Sequence, residues 1–246
     1  MDVLGIDIGG SGIKGAIVDV SSGQLVSERL RLETPLPATP HAVADTVAEL
    51  VKQFNWQGPI GCGFPAIISN GVAKSAANID ASWIDTDVEA LLRGATGCPC
   101  SVVNDADAAG LAEMRFGCGK DRSGTVLVLT LGTGIGSALF YNGILYPNSE
   151  LGHLQMKTGI AEQYTSAAVR KNEDLSWKDW SKRLNKFFVQ VERLFSPEQI
   201  IIGGGVSRKH DKFFPYLNLQ AEVLPAELRN QAGIIGAACR AAEQQG

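Results

Sequence analysis

The sequence has no excess of positive charge, few cysteines and no long apolar run, and each lack closes off a class of protein. Its 22 lysines and arginines are outnumbered by 26 aspartates and glutamates, a formal charge of −4, so a strongly basic nucleic-acid binder is disfavoured. Five cysteines, an odd number at irregular spacing, do not make a disulfide framework. No apolar stretch approaches the roughly 20 residues that span a bilayer. The opening Met1-Asp2-Val3-Leu4-Gly5-Ile6-Asp7 carries acids where a signal peptide needs lysines. A soluble, cytoplasmic protein is expected. Hydrophobic residues at 45% and charged residues at 20% exclude disordered and fibrous classes. At about 150 residues per domain, 246 residues are too many for one minimal core and too few for two full ones.

Glycine is what the chain has in excess, 28 residues gathered in clusters. The apolar run Val3–Ile8 ends at Gly9-Gly10-Ser11-Gly12, a second run covers Ile13–Val20, and a third covers Gln24–Leu32 after Ser21-Ser22-Gly23. Short β-rich runs between such turns read as an antiparallel meander. Val43, Val47, Leu50, Val51 and Phe54 repeat at helical spacing over 41–54, a strand is expected at Ile60–Phe64, and a helix near Val88–Leu92. The first pattern then recurs. Val126–Leu131 runs into Gly132-Thr133-Gly134-Ile135-Gly136, continues to Tyr141, turns at Asn142-Gly143 and resumes at Ile144–Tyr146, the strongest short-range hairpin signal. Gly9 and Gly132 are 123 positions apart, half the chain, which points to an internal duplication of one α/β unit. Trp177, Trp180, Leu184, Phe187, Phe188, Val191 and Leu194 form the core stripe of a helix. Ile200–Ile202 is a buried strand entering Gly203-Gly204-Gly205, and Ala232–Ala242 suits a tightly packed helix.

Three glycine clusters after apolar strands let backbone amides approach a phosphate with no Cβ in the way. None has the Walker A or Rossmann pattern, and Gly9–Gly12 leads into a strand rather than a helix. Asp7, two residues before the first turn, could hold Mg²⁺ through water or cap the turn. Asn104-Asp105 sits where the strand Ser101–Val103 gives way to the helix Ala106–Phe116. That position serves substrate contact or an ordinary helix cap. Glu150 and His153, three apart in a glycine-bearing loop, could hydrogen-bond adjacent hydroxyls of a sugar or be structural.

Four segments together resemble the ROK family of sugar kinases. They are Gly5-Ile6-Asp7-Ile8-Gly9-Gly10-Ser11-Gly12-Ile13-Lys14-Gly15, Val103-Asn104-Asp105-Ala106-Asp107-Ala108-Ala109-Gly110, Leu131-Gly132-Thr133-Gly134-Ile135-Gly136 and Glu150-Leu151-Gly152-His153. Ala76-Ala77-Asn78-Ile79-Asp80 with Ser82-Trp83-Ile84 is similar to the polyphosphate-dependent glucokinases within that family. The resemblance implies the actin-like ATPase fold, two ribonuclease-H-like α/β halves around a cleft. The first domain would be 1–104 completed by a C-terminal helix at 231–246, and the second 105–230. It further implies that Asp105 is the general base toward the sugar 6-hydroxyl, that Asn104, Glu150 and His153 bind sugar hydroxyls, and that Glu162 does so too. Gly9, Gly10, Ser11, Gly12, Gly132, Thr133 and Gly134 would hold donor phosphates, with Lys14 beside them, Asp7 near Mg²⁺, and Gly203 and Gly204 alongside the donor. After His153 no cysteine appears until Cys239, so the zinc site of many relatives is not expected, and Cys98-Pro99-Cys100 reads as two thiols. Pro65-Ala66 stands where the family often has Pro-Gly. No helix-turn-helix segment precedes residue 1, so the family's DNA-binding repressors are not expected.

Charge is unevenly spread. Residues 1–104 carry a net −5 and residues 157–212 a net +4, the latter holding half of all the cations, with Arg208 and Lys209 just after the Gly203 turn. Those two are expected to meet a phosphate donor. The expected activity is phosphorylation of glucose with polyphosphate or ATP, by a homodimer that binds neither nucleic acid nor membrane. The rival within the class is an ATP-dependent hexokinase for glucose, mannose or an N-acetylhexosamine. The rival outside it is a non-catalytic nucleotide-binding protein of the actin and chaperone type, which has no need of Asn104, Asp105, Glu150 and His153.

Overall fold

The computed structural model describes residues 1–77, 79–157 and 159–244. Asn78 of the Ala76–Asp80 segment and the last two residues of 231–246 lie outside the described residues. In chain order the elements begin β1 (Asp2–Gly9), β2 (Gly12–Asp19), β3 (Gln24–Leu25), β4 (Leu30–Leu32), α1 (Pro40–Gln53) and β5 (Ile60–Phe64). They continue with β6 (Ile68–Ser69), β7 (Val72–Ala73), α2 (Val88–Thr96), β8 (Cys100–Asn104) and α3 (Asp105–Phe116). Then come β9 (Thr125–Leu131), β10 (Ile135–Tyr141), β11 (Ile144–Tyr146), β12 (Gln155–Met156), β13 (Gly159–Ile160), α4 (Ala161–Thr165) and α5 (Ala167–Asn172). The last are α6 (Trp177–Phe195), β14 (Gln199–Gly203), β15 (Glu222–Pro225) and α7 (Ala232–Glu243).

Two compact units result. Met1–Ala112 with Gln231–Gly246 form one, and Glu113–Asn230 the other. The first sheet has the order β3-β2-β1-β5-β8, with β4 also on β2, and the second β11-β10-β9-β14-β15. In each, the central strand is antiparallel to the strand that follows it and parallel to a later one, which is parallel to the last. The two units therefore share one topology, the repeat that the glycine turns announce.

Local chemistry explains the element ends. Pro40 opens α1, whose Val43, Val47, Leu50 and Val51 are buried at helical spacing. Asp87 accepts the Ala90 N–H to start α2, which runs to Thr96 and ends at Gly97 with φ 71°. Ser176 caps α6, whose buried face is Trp180, Leu184, Phe187, Phe188 and Val191. Residues 24–32 are not one strand. The Ser27 hydroxyl takes the Ile17 N–H, and the register on β2 slips by two residues between Val18↔Leu25 and Gly15↔Leu30. This bulge divides the run into β3 and β4.

Helix α7 belongs to the first unit and is buried along Ala232, Ile234, Ile235, Gly236, Ala237, Ala238, Cys239 and Ala241. A Cβ on Gly61 of β5 would enter the Ala237 carbonyl, and one on Gly236 would enter the Ala108 carbonyl of α3. Among the described residues no helix is long and apolar enough to cross a membrane.

Two substitutions of opposite sign test this packing. Gly236→Ala forces two backbones apart and is expected to cost about 3 kcal/mol. Gly94→Ala, in α2 where a Cβ meets nothing within 4 Å, is expected to gain about 0.5–1 kcal/mol. Urea midpoints should therefore move in opposite directions, and equal midpoints would remove the backbone contact as a determinant of stability.

Candidate active site

In the first unit, β1 and β2 join through a two-residue turn in which Gly9 faces Gly12. Asp7 and Lys14 are cross-strand partners two steps below it, and Lys14 Nζ lies 3.2 Å from Asp7 Oδ2. Lys14, expected on donor phosphates, is thus held by Asp7. Gly233 of α7 lies against the other side of that carboxylate, where a Cβ would come within 3.4 Å of Asp7 Oδ1. Among the described residues no three potential ligands cluster around a metal site. The donor set at Asp7, one half-buried carboxylate with one oxygen on a lysine, suits a hydrated Mg²⁺ met through water rather than a chelated ion.

Two residues that the sequence does not single out also reach this turn. Thr34 donates its hydroxyl to the Gly9 carbonyl, and Arg31 donates from Nη2 to the Ser11 carbonyl. Arg31 arrives there by its register opposite Lys14 on β2, a pairing across the bulge that no local pattern reveals.

At the far end of the same sheet, Asn104 is the last residue of β8 and is buried. Its Oδ1 accepts the N–H groups of Ala106 (2.9 Å) and Asp107 (3.1 Å), and its Nδ2 donates to the Ala66 carbonyl at 3.0 Å. Asn104 therefore caps α3 and retains one amide hydrogen for a ligand. Asp105, at the first helical position and partly exposed, accepts the Ala106 N–H through Oδ1 at 2.8 Å. The helix start that Asn104 secures fixes where this carboxylate stands.

In the second unit, the turn after β9 is closed by Gly132 N–H to the Gly134 carbonyl at 3.0 Å. The Gly132 carbonyl in turn takes the Ala168 N–H of α5. A Cβ on Gly132 would meet nothing within 4 Å, so neither packing nor a positive φ requires glycine there. The space it leaves is open to a ligand. Gly203 stands opposite Thr130 in the parallel pair β9–β14. Gly204, with φ 81°, packs so tightly on Leu131 that a Cβ would enter its backbone. The two glycine turns of this unit are therefore neighbours at the same sheet end. Thr133, Arg208 and Lys209 are exposed, the last two in the 3₁₀ segment Gly205–Lys212.

Glu150, His153 and Glu162 come together in the second unit. Imidazole Nδ1 is 3.2 Å from Glu150 Oε2, and Nε2 is 3.9 Å from Glu162 Oε1. Glu162 Oε2 accepts the Ile135 N–H at 3.2 Å, which ties the cluster to the start of β10. The loop before Glu150 is fastened by Ser137, whose hydroxyl accepts the Leu151 N–H at 3.0 Å and donates to the Ser149 carbonyl. Burial pushes the Glu150 carboxyl above its usual range, with His153 pulling against it. His153 is 42% exposed, so this acid–imidazole–acid group presents acceptors and a donor to a polar ligand.

Known proteins resemble the chain along nearly its whole length. The chain is 48% identical over 236 residues to a polyphosphate glucokinase of Mycobacterium tuberculosis (strain CDC 1551 / Oshkosh), covering 96% of this chain and 89% of that protein. It superposes on an inorganic polyphosphate/ATP-glucomannokinase from Arthrobacter sp. strain KM with TM-score 0.95 and 51% identity, over 99% of each chain. It also superposes on a ROK family glucokinase from Streptomyces griseus, solved with glucose and AMPPNP, with TM-score 0.85 and 25% identity over 100% of each. Both units thus carry the actin-like ATPase fold, the ROK family model matches residues 3–167, and the chain belongs to the ROK family.

Proposed function

We propose that the chain is a glucokinase that transfers a phosphoryl group to the 6-hydroxyl of glucose, with inorganic polyphosphate as donor and ATP as a second donor. The observation that carries this reading is the Glu150–His153–Glu162 group, where an imidazole lies between two carboxylates in a partly exposed loop. A protein that only binds nucleotide has no use for such an array. A sugar offers hydroxyls that both donate and accept, and this group can do the same.

Each residue then has a role set by its chemistry. Asp105 accepts the proton of the attacking hydroxyl, which is a poor nucleophile until that proton has somewhere to go. Asn104 positions it through the helix cap and offers its remaining amide hydrogen to the sugar. Glu150, His153 and Glu162 orient the ring. Those amides of the Gly9–Gly12 and Gly132–Gly134 turns that the turns themselves leave open receive phosphate oxygens, with Gly203, Gly204, Arg208 and Lys209 beside the donor. Mg²⁺, met through water by Asp7, would neutralise charge on the transferred group.

Three measurements test the reading. Coupled detection of glucose 6-phosphate, with polyphosphate and ATP supplied separately, should show product with polyphosphate. No product with either donor overturns the kinase, and product with ATP alone overturns the polyphosphate donor. Asp105→Asn should lower kcat by about 100- to 10,000-fold while glucose binding by calorimetry stays within a few-fold, whereas near-normal turnover would remove Asp105 as the base. Because burial raises the Glu150 carboxyl, acidification protonates it before an ordinary carboxylate and removes an acceptor from the ring of His153. The KM for glucose should therefore rise as pH falls from about 7 to about 5. His153 and Glu162 also face Glu150, so Glu150→Gln is the control. It should start from a raised KM and lose part of this slope, and an identical slope in both proteins would exclude Glu150 as its source.

A further inference from the structure

The turn between β1 and β2 poses an electrostatic problem. A phosphate-binding glycine turn ordinarily opens a helix, whose N-terminal dipole adds positive potential, but this one opens strand β2. Residues 1–104 carry a net −5, and the nearest cation in sequence, Lys14, is 3.2 Å from Asp7. Positive charge must reach the turn from elsewhere.

Arg31 supplies it. The register Lys14↔Arg31 brings it alongside the hairpin, and its guanidinium lies over the turn. A Cβ on Gly12 would come within 2.5 Å of Arg31 Nε and 3.0 Å of its Cζ and Nη2. One N–H is spent on the Ser11 carbonyl at 2.5 Å, which leaves four of the five donors of the fork. Arg31 is exposed and has no carboxylate partner among the described residues. Thr34 adds to the arrangement by donating to the Gly9 carbonyl. With both carbonyls engaged, the negative ends of those peptides are neutralised from the β4 side. No acceptor among the described residues takes the Gly10 or Ser11 amide. The turn is thus supplied with open N–H donors and one ordered cation, the composition of an anion site.

We propose that Arg31 is a donor-binding residue that clamps a phosphate of the polyanion at the Gly9–Gly12 turn, an assignment that rests on the kinase reading above. Its planar fork matches two non-bridging oxygens, which a lysine cannot do. The test pairs kinetics with direct binding of tripolyphosphate by calorimetry. Arg31→Gln should raise the KM for polyphosphate at least tenfold, leave the KM for glucose within twofold, and weaken tripolyphosphate binding by a similar factor. Arg31→Lys should fall between the two proteins. Unchanged donor KM and tripolyphosphate affinity would overturn the proposal. So would a joint rise of both KM values with a lowered thermal midpoint, since Arg31 would then only hold the turn. If the wild-type protein forms no product yet binds tripolyphosphate through Arg31, the kinase reading falls and the anion site stands.

Discussion

Helix α7 meets the first sheet backbone to backbone, and much of the first unit depends on that approach. Gly5 on β1 and Gly61 on β5 leave no side chain between strand and helix, so the carbonyls of Ile234 and Ala237 reach the sheet directly. Gly236 does the same toward Ala108 on α3. Any side chain at these positions would hold the helix away and open the core that Ile234, Ile235, Ala237 and Ala238 fill. The same helix places Gly233 beside Asp7. The carboxylate at the base of the Gly9–Gly12 turn is therefore set from behind by α7 and from the neighbouring strand by Lys14. Core closure and site geometry are one constraint, met by residues more than 220 positions apart in sequence.

Elements whose cause is local were legible in the sequence. The strand Ile60–Phe64 and the Asn142-Gly143 hairpin are read from apolar runs and turn residues alone. So is the aromatic stripe of α6. The recurrence of strand, glycine turn and strand gave the duplicated topology. What was not legible depends on pairing between distant residues. The break between β3 and β4 follows from a Ser27 side chain bonding to Ile17, and Arg31 reaches its turn only through the register that this break creates. Asn104 shows the same limit. Its residue type fits a cap and a substrate contact equally, and the two N–H groups on its Oδ1 give the capping role geometry. Glu150 and His153 are paired by their spacing, whereas Glu162 enters only through the family resemblance, and its meeting with His153 required the excursion of β12 and β13 between them.

The two units share a topology and use it differently. After β1 the glycine turn is backed by side chains, Arg31 and Thr34. After β9 the equivalent turn is backed by main chain, the Ala168 N–H of α5. The next parallel strand diverges as well. β5 runs into Ala66, whose carbonyl secures Asn104, whereas β14 runs into Gly204, which packs on Leu131. Equivalent strand ends thus carry a carbonyl that secures Asn104 in one unit and a second glycine turn in the other. A duplicated scaffold supplies two turns, and the segments attached to each decide what it can hold.

Recognition of the donor follows from which groups are already spent. An adenine base can stack on an open aromatic face, but the aromatic cluster of the second unit has little face to offer. Arg170 lies 3.9 Å over the Trp177 ring, and Trp177 stacks on Phe213 with planes 15° apart. Phe213 in turn meets Trp180 and Phe214 edge-on. Arg183 and Lys186 both lie over Tyr164. These rings order cations rather than wait for a base. Arg208 and Lys209, by contrast, are exposed and follow a glycine turn directly. A donor that consists of phosphate throughout needs cations and open amides rather than aromatic faces. A nucleotide would draw on the same groups for its phosphates alone. An acidic chain of net −4 still carries a net +4 over residues 157–212, so its overall charge does not exclude a polyanion.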